Sequence, residues 1–163
     1  MPLTTPALSG LPVLLLLACA HPAPARAADA WSPTAEQTAV YQALSARDTA
    51  ADVCDAVEAL ATDPVSALTA VAEHATQPPW AAVRATHCLA SRHAAASQAT
   101  LTAWVADPDR RGLAILIANE LDGMPEPVAL SIARAGLAGP HAADLQKRLP
   151  DSAYPSLRAL AQE

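Results

Sequence analysis

The chain has no phenylalanine, and three Trp and two Tyr are its entire aromatic content among 163 residues. A core without large rings gains little area per side chain, so cohesion has to come from many close helix–helix contacts. Glycine is equally scarce, at five residues with no cluster. That excludes the glycine-rich loops that cradle phosphates. Ten Lys and Arg against sixteen Asp and Glu leave a formal charge of −6, with no Lys or Arg between Arg47 and Arg84. A nucleic-acid partner is excluded on this ground, because phosphate binding needs clustered cations. The chain also lacks a paired Cys-x-x-Cys, a His-Glu-x-x-His and a Gly-x-Ser-x-Gly, so zinc and serine-nucleophile chemistry have no spacing support. No metal, cofactor or catalytic residue is expected.

What is abundant is alanine, in a chain that is 52% apolar. Alanine is the best helix former and a poor strand former, and no useful stretch alternates with period two. The expected fold class is all-α.

The amino-terminal thirty residues read as an address. The apolar run from Leu11 to Ala18 is too short to cross a bilayer as a helix, and Ala25-Arg26-Ala27 makes a small-x-small cleavage pattern. Residues 1–27 are therefore expected to be a secretory signal, although Met1 to Gly10 holds no Lys or Arg. The same residues admit a second reading. Leu16-Leu17-Ala18-Cys19 resembles a lipobox, in which cleavage follows residue 18 and Cys19 becomes the lipidated terminus. The Ala/Pro-rich segment to about residue 31 then acts as a tether. Either way the mature chain is expected outside the cytoplasm, periplasmic or secreted, or held at a membrane only through a lipid on Cys19.

Proline placement organises residues 32–163. Pro33, Pro64, Pro79, Pro108, Pro125, Pro140 and Pro155 recur at intervals of about 14 to 17 residues or about twice that. Proline is tolerated in the first turn of a helix and excluded from its interior. Ser32, Asp63 and Asp107 each precede a proline as caps. Further starts near Asp48-Thr49 and between Ala94 and Ser97 halve the two long gaps, predicting about nine helices of about ten to thirteen residues. Apolar stripes at helical spacing support them: Val53, Val57, Leu60 and Ala61; Val65, Leu68, Ala72 and Ala75; Leu101, Trp104 and Val105; Val128, Ile132 and Ala135; Leu145 and Leu149; Leu157 and Leu160. Leu113 to Ala118 is apolar all round, which predicts a helix covered on several sides.

A faint repeat runs at about twice the helix interval. Ala56 to Ala61 (AVEALA) returns as Ala85 to Ala90 (ATHCLA) and more loosely as Ala133 to Ala138 (ARAGLA). Pro79-Trp80-Ala81-Ala82-Val83-Arg84-Ala85 resembles the opening of the second helix of a short HEAT-like repeat, and Asp107 to Ala114 (DPDRRGLA) is a poorer copy. The resemblance covers most of residues 48–138 and implies stacked antiparallel helical hairpins, three to four of them, in an α/α solenoid. An irregular Ala-rich bundle is the alternative. HEAT-like domains bind proteins, and a few act in lyase complexes; no residue pattern here carries the latter across.

Three groups of residues stand out. Asp48, Asp52 and Asp55 fall on one helix face with Glu58 nearby, giving either a docking face for a basic partner or an ordinary solvated face. His74, His87, His93 and His141 are spread over different helices. Cys54 and Cys88 are the two thiols certain to remain after export, which favours a disulfide in an oxidising compartment. Two independent core thiols are the alternative. The function expected is a non-enzymatic exported scaffold or protein-binding module with an unidentified protein partner. The runner-up is an enzyme or accessory subunit whose site gathers dispersed residues such as Arg84, His87 and the acidic first repeat.

Overall fold

A computed structural model describes residues 31–47 and 52–162. Among the described residues the secondary structure is helical throughout, with nine α-helices and three single 3-10 turns. The helices are α1 (Ala35–Ser45), α2 (Val53–Leu60), α3 (Pro64–His74), α4 (Pro79–Arg92), α5 (Ala94–Ala106), α6 (Arg111–Glu120), α7 (Glu126–Leu137), α8 (Ala142–Gln146) and α9 (Pro155–Leu160).

The helices alternate between two layers. Along the odd layer α1 packs on α3, α3 on α5, α5 on α7 and α7 on α9; along the even layer α2 packs on α4, α4 on α6 and α6 on α8. Consecutive helices join the layers, most extensively α3 with α4. This is the arrangement of stacked helical hairpins. The AVEALA and ATHCLA segments fall on α2 and α4, neighbours in the even layer, whereas ARAGLA falls on α7 in the odd layer. The third match therefore does not occupy the position of the first two.

Local chemistry sets the helix starts. Asp63 caps α3 by accepting from the Ser66 N–H at 3.0 Å, with Pro64 in the first turn. Pro155 likewise opens α9 and Pro79 opens α4. At α1 the cap is Thr34 and not Ser32: the Thr34 hydroxyl accepts from the Gln37 N–H, and the Gln37 side chain accepts from the Thr34 N–H. That reciprocal pair satisfies two orphan donors at once and leaves Pro33 outside the helix. Pro108 opens a 3-10 turn that delays α6 to Arg111, and Pro140 lies in the turn before α8. Helix α2 begins after Asp52, whose carboxylate accepts from the Cys54 N–H at 2.9 Å. The start expected near Asp48-Thr49 lies outside the described residues.

Lengths depart from the even spacing expected. Helix α4 runs 14 residues, whereas α2 has 8, α8 has 5 and α9 has 6. The shortness of α2 corrects one core assignment. Leu60 ends the helix 48% exposed, and only Cys54 and Val57 of that helix are buried. The other stripes are inside or partly so; Leu68, Leu101, Trp104, Ile132, Leu145, Leu149 and Leu157 are all buried. Helix α6 is at least partly buried at every residue from Leu113 to Ala118, because α4, α5 and α8 all pack on it. Ten buried alanines, from Ala67 to Ala133, let the helices approach closely in place of large rings. Among the described residues no helix is long and apolar enough to cross a membrane.

Candidate functional site

An open groove with an apolar wall lies where α3, α4 and α6 meet. Helix α4 presents Pro79, Ala82 and Val83, spaced three and four residues apart and so on one face. Helix α6 presents Gly112, Leu113 and Leu116, and α3 contributes Ala72 and Glu73. Together with Asp109 and Arg110 of the 3-10 turn they line an open groove of about 550 Å³. Val83 is 42% exposed in it, which is unusual for a branched side chain in the middle of the longest helix.

One end of the groove is held rigid by a charged cluster. Arg110 Nε donates to Asp107 at 3.0 Å, its Nη1 lies 3.6 Å from Glu73, and its guanidinium carbon sits 5.9 Å from the Trp104 ring centre. Trp104 in turn donates from Nε1 to Glu73 at 3.1 Å. The ring is buried, so its N–H needs this acceptor. Asp109 stands apart from that network. Its backbone N–H is tied to Asp107 at 2.9 Å while its residue is exposed.

Two further hollows are spent on internal contacts. Trp31, Tyr41 and His74 line one of about 410 Å³, but Trp31 stacks on His74 at 5.8 Å and meets Tyr41 edge-on at 5.7 Å. The Tyr41 hydroxyl is also committed, donating to the Gln77 carbonyl. A small polar cleft of about 160 Å³ lies between Asn119, Asp122, Arg148 and Ser152. There the Asp122 carboxylate accepts from the Ser152 hydroxyl and from the Ala153 N–H, fastening the segment before α9 to the end of α6.

The residues singled out as possible chemistry are mostly engaged in holding helices together. Asp52 and Asp55 converge on Arg92 of α4, the latter at 3.1 Å, and Glu58 lies 3.6 Å from His93. The guanidinium of Arg92 holds the Asp52 carboxyl below its ordinary range, helped by the Cys54 N–H. Their acidity is therefore directed at the protein's own α4, where an open docking face was one expectation. Asp48 lies outside the described residues. Arg84 donates from Nη1 to the carbonyls of Leu44 at 2.8 Å and Ala46 at 2.6 Å, and Trp80 donates to the Ser45 carbonyl at 3.1 Å. Two side chains one turn apart on α4 thus cap the carboxyl end of α1, whose last carbonyls have no helical N–H donors of their own. His87 Nδ1 lies 2.9 Å from Glu120, and His141 Nε2 is 2.8 Å from the Asp107 carbonyl. Arg84, His87 and the acidic residues of α2 are each placed against different partners and share no cleft. Among the described residues no three His, Cys, Asp or Glu side chains are grouped to hold a metal ion.

Cys54 of α2 and Cys88 of α4 do come together. Their Sγ atoms are 2.06 Å apart with Cα atoms 5.4 Å apart, and both residues are buried. Cys19, with all of residues 1–30, lies outside the described residues.

The groove itself was not picked out in the sequence, although one signal was present. When residues 79–85 are set against residues 108–114, Pro79 falls opposite Pro108 and Val83 opposite Gly112. Val83 and Gly112 both line the groove. Compared with family models, with curated proteins and with solved structures, the chain matches none.

Proposed function

We propose that this chain is an exported, non-enzymatic scaffold that binds another protein through the surface of a short HEAT-like helical stack. The observation that carries the reading is the groove on α3, α4 and α6, whose apolar wall includes the 42% exposed Val83. Wide, shallow, apolar ground on stacked helices suits a protein partner better than a small molecule, which needs an enclosed cavity. The polar side chains at hand supply structure: Arg84 caps α1, Arg92 anchors α2, and Asp122 anchors the segment before α9. Export is supported by the leader pattern ending at Ala27 and by a buried cysteine pair at bonding distance, which fits an oxidising compartment. Lipidation at Cys19 is the membrane-anchored form of the same proposal.

Site-specific photo-crosslinking in the full-length chain tests it. A photoreactive residue at Leu60, Val83, Glu126 or Ala159, all exposed, is expected to yield a discrete covalent adduct with a second protein from at least one position. No adduct from any of the four would sink the scaffold reading. Intact mass of the native protein distinguishes processing after Ala27 from processing before Cys19.

A further inference from the structure

Gly112 is a glycine the fold does not use. No glycine among the described residues has positive φ, so backbone conformation does not require it. A Cβ built on Gly112 meets nothing within 4 Å. The contrast with the other glycines is informative. A Cβ on Gly136 would lie 2.3 Å from Leu145, and one on Gly139 would lie 3.3 Å from the Ala135 and Val105 carbonyl oxygens, so close approach within the chain explains both. Gly123 also meets nothing, but it ends a 3-10 turn, where a glycine weakens no α-helix. Gly112 sits in the first turn of α6, where alanine would serve the helix better. Its bare backbone lines the same groove as the exposed Val83 of the neighbouring helix.

We propose that this groove receives a helix of a partner protein that carries an apolar ridge flanked by lysine or arginine, with its closest approach at Gly112. The inference rests on the protein-binding reading and deepens it. A glycine is what lets a second backbone approach closely, and Val83, Leu113 and Leu116 are the apolar wall such a ridge would cover. Charge identifies the partner. Near the groove the carboxylates of Glu73 and Asp107 share one guanidinium, Arg110, and Asp109 adds a third carboxylate with no cation of its own in that network. Asp109 is left to solvent at the rim, so a cation on the incoming helix finds an acceptor there. A second copy of this chain is the poorer occupant, because it would bring a surface of the same acidic excess against this one.

Two synthetic helical peptides of about five turns provide the probe. Both carry the same leucine ridge, one flanked by lysine and the other by glutamate. The lysine peptide is expected to shift the amide resonances of Val83, Gly112 and Leu113 and to bind at least about tenfold more tightly than the glutamate peptide. Asp109→Asn should weaken it and flatten its salt dependence. Gly112→Gln should weaken it about tenfold or more without lowering Tm. Gly112→Ala should raise Tm by about 1 to 3 °C while still weakening the peptide. Equal binding of both peptides, shifts that map elsewhere, no binding of the lysine peptide, or full tolerance of Gly112→Gln would each overturn the inference. So would self-association through Val83, seen as a dimer by sedimentation. Photo-adducts from Leu60 or Glu126 with none from Val83 refute the groove and leave the scaffold standing, whereas adducts from nowhere refute the scaffold itself.

Discussion

Reducing the Cys54–Cys88 bond should cost this protein a large fraction of its stability. The bond joins residues 34 apart in sequence and ties α2 directly to α4. Loop-closure entropy for a ring of that size corresponds to about 4 kcal/mol at 25 °C. A domain of this size has a total stability of about 5 to 15 kcal/mol, so the bond is a major component. What else holds α2 is modest: Val57 and Cys54 are its only buried side chains, and its ion pairs to Arg92 and His93 are solvent-exposed. Reduction removes the cross-link and leaves both sulfur atoms in place, so it isolates the constraint. Cys54→Ala with Cys88→Ala adds the loss of two buried sulfurs. Denaturant unfolding of oxidised, reduced and double-variant protein is the assay. Expected is a loss of about 3 to 4 kcal/mol on reduction, a fall in Tm of about 10 to 15 °C, and a further loss in the variant. Oxidised and reduced forms that unfold within about 1 kcal/mol of each other would refute the reasoning, as would two alkylatable thiols in the native oxidised protein.

Three other outcomes follow from the same contacts. Arg84→Met keeps the aliphatic stem but frees the carbonyls of Leu44 and Ala46, and should cost about 1 to 3 kcal/mol by chemical denaturation. Gly136→Ala drives a methyl into the buried Leu145 side chain, whose Cδ2 lies 2.3 Å from the new Cβ; a loss of about 1 to 3 kcal/mol is expected, with α8 the first segment to lose amide protection. Arg92→Met should raise the Asp52 pKa back toward the ordinary carboxylate range, read by carboxyl-carbon NMR titration. Because the folded value is depressed, the Asp52 interaction stabilises the fold above the unfolded value and is lost as pH falls through the folded one. Acid unfolding of Arg92→Met should consequently be less steep than that of the wild-type chain.

The fold was readable because its signals are local and redundant. Proline cannot sit inside a helix, so Pro64, Pro79 and Pro155 marked three starts directly. The break between α4 and α5 carries no proline, yet α5 starts at Ala94, the first residue of the expected window. The misreadings came from signals that need a third dimension. Thr34 competes with Ser32 for the cap, and only the reach of Gln37 back to the Thr34 N–H decides between them. Leu60 belongs to a helical stripe by spacing, but α2 ends there and the stripe runs out into solvent. Cys54 and Cys88 could be placed on the second and fourth helices, whereas their orientation depended on how those helices face across the even layer.

Polar residues attract attention in a bare sequence because they can do chemistry, but a stack of short helices has many ends, and every end leaves carbonyls and N–H groups to satisfy. Arg84, Trp80, Asp52, Asp63 and Asp122 are consumed by that need. An alanine-rich core intensifies it, since small side chains anchor each short helix weakly and polar clamps between neighbours make up the difference. In such a protein a charged or aromatic side chain is first of all a fastener. On the proposed reading, the surface left over for recognition is marked by its opposite: an apolar side chain that stays exposed and a helix glycine that nothing among the described residues requires. Val83 and Gly112 meet that description, on adjacent helices of one layer and in the lining of one groove. Neither carries chemistry alone, and their juxtaposition becomes visible only once α4 and α6 are set side by side.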